Sequence, residues 1–465
     1  MMKNHPIFQT ALQHNFANFI RKYFETINPG IEYKSNWHID LIAEQLAEVQ
    51  EGKIKRLMIN MPPRALKSVC VSVAWPAWLL GHNPTLRIIV ASYSQVLSIK
   101  HSLDCRAVME SSWYQEMFPA TSLSEVHNTK SKFLTTQFGF RFAVSVGGSI
   151  TGEGGDYLII DDPHNPTHIH SKKQREKVNT WYEQTFATRL NDKSKGAIIL
   201  VMQRLHEGDL AGHLLANSKR WKQLKLPAIA QEEYAYEVNG KQHFYVPGEV
   251  LHSGREELEE LALIQEELGS HNFAAQYLQE PISNASSLLK KENISFFNEQ
   301  VKFDYIVQSW DTAIKVSCQS DYTVCTTWGV QGNRYFLIDM LRAKYEYSEL
   351  KRTIISQAAI YRPKFVIIED KASGQSLIQD LAIETNIHIK KYKPVRDKVT
   401  RFAATIPYFE SGWIVIAEGA AWLNVFLQEL MAFPAGTNDD IIDSLSQFID
   451  VIKTHKDNLP RIRNL

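Results

Sequence analysis

Asp161 and Asp162 close the apolar run Tyr157-Leu-Ile-Ile-Asp-Asp-Pro163, far downstream of Met61-Pro-Pro-Arg-Ala-Leu-Lys-Ser68, which leads into a helical stretch. A lysine and a hydroxyl at a helix start can hold the β- and γ-phosphates and Mg²⁺, and an acid at a neighbouring strand tip can hold the same metal. The pairing implies a site for ATP and Mg²⁺. In this reading Lys67 contacts the phosphates, Ser68 ligates Mg²⁺, Asp161 holds that metal directly or through water, and Asp162 polarises the attacking water. Arg64 either reaches the γ-phosphate or makes a salt bridge on the loop. The loop departs from the usual Gly-x-x-x-x-Gly-Lys-Ser/Thr, because Met61 and Leu66 stand where the glycines would be, and Leu66 takes its place in the phosphate-binding loop.

Gln203 and Arg204 follow the run Ala197–Val201, a position from which a polar side chain can sense a γ-phosphate. Gly147 to Gly155 is glycine-rich and fits either a nucleotide-sensing element or a flexible loop. Trp37 and His38 precede the first strand as candidates for an adenine pocket.

A second acidic set lies towards the C-terminus: Asp311 after Gln-Ser-Trp, Glu369 after Val-Ile-Ile, and Asp439, Asp440 and Asp443 in one short run. Two oxygen-ligated metals need about this number of acids to activate a water and stabilise the leaving oxygen of a phosphodiester displacement. Asp311, Glu369, Asp440 and Asp443 are therefore expected to be catalytic and to ligate Mg²⁺, with Mn²⁺ as an alternative. Asp321 and Asp370 are secondary candidates. At helical spacing Ile441, Ile442, Leu445, Phe448, Ile449 and Ile452 make one buried stripe and the aspartates gather opposite it, with Asp443 between its neighbours. The spacing of His164, His168 and His170 matches no common zinc module.

The elements needed to position these groups are legible as alternating patterns. Strands are expected at Arg56–Asn60, Leu86–Ser92, Tyr157–Asp161, Ala197–Val201 and Trp221–Leu226. Helices are expected at Ser68–Leu80, Gln95–Glu110, Ser171–Leu190 and Asp209–Ser218. That alternation predicts a mostly parallel sheet covered on both faces. Further on, Tyr305–Trp310, Tyr322–Trp328 and Arg334–Leu341 read as three successive strands, followed by a helix at Ser348–Tyr361 and a strand at Phe365–Glu369, the order of an RNase H-like fold. The expected organisation is a helical cap over 1–54, a P-loop ATPase domain over 55–280, a linker over 281–303, an RNase H-like nuclease domain over 304–453 and a basic tail over 454–465.

The 465 residues suit two domains, and 51 Lys and Arg balance 51 Asp and Glu. Nucleic-acid contact must then come from local basic patches, of which Lys390, Lys391, Lys393 and Arg396 form the clearest. Four scattered cysteines argue for a reducing compartment, and no run is apolar enough for a membrane span or a signal peptide. A cytoplasmic protein is expected.

Taken together, the loop Met61 to Ser68, Thr151-Gly-Glu-Gly-Gly-Asp156 leading to Asp161-Asp162, Met202 to Leu210, Ser309-Trp-Asp-Thr-Ala313 and Glu369-Asp-Lys-Ala-Ser-Gly374 resemble the large terminase subunit of tailed bacteriophages. The resemblance runs from about Trp37 to Asp450. It implies an ATP-driven motor that moves double-stranded DNA into a capsid and a metal-dependent nuclease that cuts concatemers. It also implies a small terminase subunit and a portal protein as partners, a homo-oligomeric ring, the cytoplasm of a bacterial host, and no membrane. Glu153 stands where the family often has a basic residue, and Arg106 and Arg189 are candidates for an arginine acting in trans. The alternatives are a helicase-nuclease of repair or recombination, for which no Asp-Glu-x-His pattern or second motor domain is found, and an inactive prophage remnant with an interaction role. A transposase or integrase would share the C-terminal acids and leave residues 56–210 unexplained.

Overall fold

The computed structural model describes residues 12–126, 128–150, 152–281, 288–313, 322–370, 372–434, 436 and 438–457. The chain forms two compact units, one of residues 1–264 and 271–282, the other of 265–270 and 283–465.

The first unit is built on a seven-stranded sheet: β1 (Arg56–Asn60), β2 (Arg87–Ser92), β3 (Lys132–Leu134), β4 (Phe140–Ser145), β5 (Tyr157–Asp161), β6 (Ala197–Met202) and β7 (Lys222–Lys225). Their order is β3-β4-β2-β5-β6-β1-β7, and every pair is parallel except β3 with β4. The central strands read as continuous apolar runs because both faces are buried. Leu57 and Ile59, Ile88 and Val90, and Ile199 and Val201 enter one core. The alternate residues Met58, Ile89, Leu158, Ile160, Ile198 and Leu200 enter the other. The helices Phe16–Ile27 and Trp37–Gln50 bury Phe19, Tyr23, Ile42 and Leu46 in the first of these cores.

Three features depart from the sequence expectations. Strands β3 and β4 and a hairpin of β8 (Tyr234–Val238) and β9 (Lys241–Tyr245) were not anticipated. Each hairpin strand is five residues long and fully buries only its last, Val238 and Tyr245, which weakens the period-2 signal. The helix expected over Ser68–Leu80 begins instead as a π-helical segment, Val69–Ala74, and turns α-helical only at Trp75–His82. Pro76 has no N–H to offer the carbonyl of Ser72, and the buried Arg141 Nη2 donates to that oxygen instead at 2.9 Å.

The second unit holds β10 (Ser295–Phe297), β11 (Tyr305–Asp311), β12 (Thr323–Gln331), β13 (Arg334–Ala343), β14 (Phe365–Glu369), β15 (Ile389–Tyr392) and β16 (Ile414–Ala417). The order is β10-β16-β13-β12-β11-β14-β15, with β11, β12 and β13 antiparallel and the flanking pairs parallel. This is the arrangement expected of an RNase H-like fold. The stretch expected as linker is not one throughout: β10 pairs with β16, so 295–297 belong to this sheet. Residues 282–287, the core of the expected linker, lie outside the described residues. Helices Tyr347–Tyr361 and Ala372–Glu384 cover one face through Leu350, Ile354, Leu377 and Leu381. Helix Asp440–Asp457 covers the other through the expected stripe of Ile441, Ile442, Leu445, Phe448, Ile449 and Ile452.

Candidate functional site

Because β6 lies between β1 and β5, the sheet brings three segments side by side: the loop after β1, the acids ending β5 and Gln203 just after β6. The loop holds two non-glycine residues in the left-handed region, Arg64 and Leu66, each at φ 64°. Leu66 thus adopts a glycine-like backbone at a cost of about 1–2 kcal/mol. Arg255 Nη1 braces the turn by donating to the Arg64 carbonyl at 2.7 Å.

Lys67 and Ser68 reach the two aspartates directly. Lys67 Nζ lies 3.1 Å from Asp162 Oδ2, and Ser68 Oγ donates to Asp161 Oδ1 at 3.0 Å. Asp162, at φ 44°, accepts the Gln203 backbone N–H on Oδ1 at 3.0 Å, while the Gln203 side-chain oxygen is buried with no hydrogen-bond partner. Asp161 is fully buried. Its Oδ2 carries no hydrogen bond and faces His101 Nδ1 at 3.5 Å. Burial pushes both carboxyls above the ordinary range, opposed by Lys67. Burial, helped by Arg141 and Lys100, lowers His101 to about 4, so its ring is neutral.

A cavity of about 600 Å³ opens onto Lys67 and Ser68, with His101 and Arg255 on its wall and Phe24 and Tyr33 supplying aromatic surface. Trp37 and His38 do not line it. Trp37 packs on His243 at 4.2 Å and on Tyr236 of the hairpin, and His38 is buried against His252. These two rings do not form the expected adenine pocket: the unanticipated hairpin takes Trp37 as packing surface, and His38 is buried beside His252. Arg204 is likewise structural: its Nε contacts both oxygens of Asp209, at 3.1 and 3.0 Å. Asp209 also caps helix Leu210–Asn217, with His164 accepting the Leu210 N–H. Arg106 pairs with Glu110, Arg189 bonds within its own turn, and Glu153 pairs with Lys132.

In the second unit Asp311 ends β11 and Glu369 ends β14. The parallel register Trp310↔Ile368 brings these two ends level. Helix Asp440–Asp457 is fixed against them by a polar seam. Ser309 Oγ donates to the Ser444 carbonyl at 2.7 Å, Ser444 Oγ donates to the Ser309 carbonyl at 2.8 Å, and Gln447 Nε2 donates to Ser309 Oγ and the Trp310 carbonyl. Residues 440 to 449 are buried throughout, so the aspartate face is no solvent face. Glu429 caps the helix by accepting the Ile441 N–H at 2.7 Å, and Asp440 accepts the Tyr322 N–H at 3.4 Å.

Asp443 is placed differently from the expectation of a bare ligand. Arg401 Nη2 holds one of its oxygens at 2.6 Å and Lys398 Nζ the other at 2.7 Å, and Lys398 also reaches Asp439 at 2.5 Å. Among the described residues no three of the candidate carboxylates bring oxygens within 4.8 Å of one another; an exposed trio, Glu257, Glu259 and Glu260, does. Asp370 extends the β14–β15 ladder through its N–H to Tyr392, and Asp321 lies outside the described residues. The sequence reading missed His101, Arg255, Lys398 and Arg401. Only the charge-dense run around Lys398 offered a signal, whereas His101 and Arg255 are isolated in sequence.

Residues 308–451 match the family model of the terminase RNase H-like domain. That segment is similar to the RNase H-like domain of terminases. The terminase resemblance drawn from the motifs is borne out, and Asp311, Glu369, Asp440 and Asp443 all fall inside the matched segment. Similar chain traces occur in the large terminase of a thermophilic bacteriophage in complex with ADP, at 10% identity and TM-score 0.49, covering 94% of this chain and 98% of that one. The large terminase of bacteriophage HK97 is 11% identical at TM-score 0.40 with the same coverage. The large terminase nuclease of thermophilic phage G20c with bound magnesium is 14% identical at TM-score 0.28, covering 35% of this chain and 95% of that one. No curated protein sequence matches the chain. Among the described residues no helix is long and apolar enough to cross a membrane.

Proposed function

We propose that this chain is the motor subunit of a viral DNA-packaging machine, hydrolysing ATP to move double-stranded DNA and cutting it with a metal-dependent nuclease. The observation that carries the ATPase half is the double contact of Lys67 with Asp162 and Ser68 with Asp161. Asp162 and a γ-phosphate compete for the Lys67 ammonium. When Lys67 turns to phosphate, Asp162 is released to accept a hydrogen bond from the attacking water. Gln203, whose backbone N–H is held by Asp162 and whose side-chain oxygen is buried without a hydrogen-bond partner, is the residue to report on that exchange. The donors Ser68 and Asp161 are hard oxygens, and the unbonded Asp161 Oδ2 fits a Mg²⁺ ligand. Mg²⁺ would neutralise phosphate charge there. The Phe24 and Tyr33 wall suits the base of the nucleotide.

The nuclease half rests on Asp311, Glu369, Asp440 and Asp443 at one end of an RNase H-like sheet. All four offer oxygen, as Mg²⁺ or Mn²⁺ requires, and such ions would supply water activation. Asp443 would join that set on giving up its contacts with Lys398 and Arg401. A small terminase subunit, a portal protein, a homo-oligomeric ring and the host cytoplasm belong to the same proposal. Purified protein should hydrolyse ATP with Mg²⁺ and cleave plasmid DNA with Mg²⁺ or Mn²⁺; a folded preparation doing neither would overturn the reading.

The helix aspartates should differ in effect. Asp440→Asn and Asp443→Asn are each expected to lower plasmid cleavage by orders of magnitude, since both are buried beside the strand ends. Asp439→Ala should lower it less, because Asp439 is only half-buried and shares one cation with Asp443. Asparagine is preferred to alanine at 443, where an empty site would strand the buried Arg401 at a cost of about 3–5 kcal/mol. Cleavage that dies with Asp439→Ala and survives Asp443→Asn would reverse the helical phase of the site.

A further inference from the structure

We propose that a basic groove beside the edge strand β15 is the track along which a DNA sugar-phosphate backbone reaches the carboxylate end of the second unit. The proposal rests on the nuclease reading and adds a binding site to it. The groove has a volume of about 650 Å³, and Lys391, Lys393, Arg396 and Lys453 line it. All four are exposed, and no salt bridge among the described residues engages them. The one acid on the wall, Asp450, is occupied, because Tyr392 donates its hydroxyl to Asp450 Oδ2 at 2.7 Å. Lys390 is excluded from the count of free cations, since its ammonium sits 3.9 Å over the Phe365 ring.

The groove is joined to the acids by the backbone itself. β15 is the last strand of the sheet, and its register pairs Tyr392 with Glu369. Beyond the groove the chain enters the short helix Lys398–Ala403, where Lys398 and Arg401 close on Asp443. Residues 389 to 401 thus carry six cations and one acid, and that acid, Asp397, is spent capping the Thr400 N–H. In a chain of zero net charge such a run is a local feature. Lysines on an edge strand also guard against strand-to-strand aggregation. That role does not require Arg396 and Lys453, from outside the strand, to converge on the same concave surface. Exposed cations lining a groove whose Tyr392 pairs with Glu369 on the neighbouring strand match the chemistry of a polyanionic backbone.

The test uses the full chain, a fluorescein-labelled DNA duplex and Ca²⁺ in place of Mg²⁺, with anisotropy followed across a salt series. Each lost phosphate contact should flatten the log-log salt dependence by roughly 0.9. The variant Lys391→Gln/Lys393→Gln/Arg396→Gln/Lys453→Gln is therefore expected to lose about 3 to 4 from the slope, with its ATPase rate and melting temperature unchanged. A loss of about two or more supports the track. A smaller loss, in a protein whose wild type binds and cleaves DNA, overturns the groove and leaves the nuclease reading standing. Wild-type protein that neither binds nor cleaves DNA overturns both. If the variant melts early, the two half variants Lys391→Gln/Lys393→Gln and Arg396→Gln/Lys453→Gln supply the decision: each is expected to flatten the slope by about 1 to 2, and a wild-type slope in both overturns the track.

Discussion

If the proposed activities hold, Lys67→Ala is expected to lower ATP hydrolysis by at least about 10²–10³-fold, the scale of removing one preorganised donor from developing charge, with divalent-dependent plasmid cleavage near wild type. The asymmetry follows from where the residue sits. Lys67 is buried in the first unit on Asp162, and the cleavage acids belong to the second unit. The substitution also removes the cation that opposes the burial of Asp162. That carboxyl is only part-buried and keeps the Gln203 backbone N–H on Oδ1, so it is not left as a fully buried, unpartnered charge, and the fold survives. A phosphate-release assay and a plasmid-nicking assay on one folded preparation decide the matter. Parallel loss of both activities would contradict two separable centres.

The parts of the fold that carry this argument were legible in sequence where periodicity was strong. The strands ending at Asn60, Asp161 and Glu369 fall where the sequence reading placed them, because each is a short apolar run closed by a polar residue. The stripe of helix Asp440–Asp457 was equally clear, since six large apolar residues repeat at helical spacing. The hairpin of β8 and β9 was hidden because each strand is short and fully buries only its last residue, and Trp37 was misread as a ligand wall for want of that hairpin. The π-helical start after Ser68 depends on one proline and on an arginine far along the chain, so no local pattern announces it. Pairings such as His101 with Asp161 and Arg401 with Asp443 are tertiary facts, made by elements whose order in the sheet is not written in any single segment. Leu66 shows the opposite case. A residue whose type argued against a phosphate loop takes the left-handed backbone that the loop needs, braced through Arg255.

On the same proposal, Asp311→Asn is expected to abolish cleavage and spare ATP hydrolysis. The substitution keeps the shape of the side chain at the end of β11, so the β-ladder to Val324 and the seam of Ser309, Ser444 and Gln447 behind it remain. Only a negative charge is lost, at the strand end level with Glu369. Removing even a group that merely orients a metal ligand costs about 10–100-fold in many metal sites, so deleting a ligand charge should exceed 100-fold by this scale. A purely structural Asp311 would behave differently. Asparagine keeps its shape and one acceptor oxygen, and cleavage would change by little more than any shift in stability explains. The measurement is plasmid nicking at saturating Mn²⁺ and again at limiting Mn²⁺, beside the ATPase rate. Recovery of full activity at high Mn²⁺ would mean that Asp311 only adds affinity for the ion. An unchanged rate at both concentrations would remove it from the site, and with it the argument that the level ends of β11 and β14 form one catalytic edge.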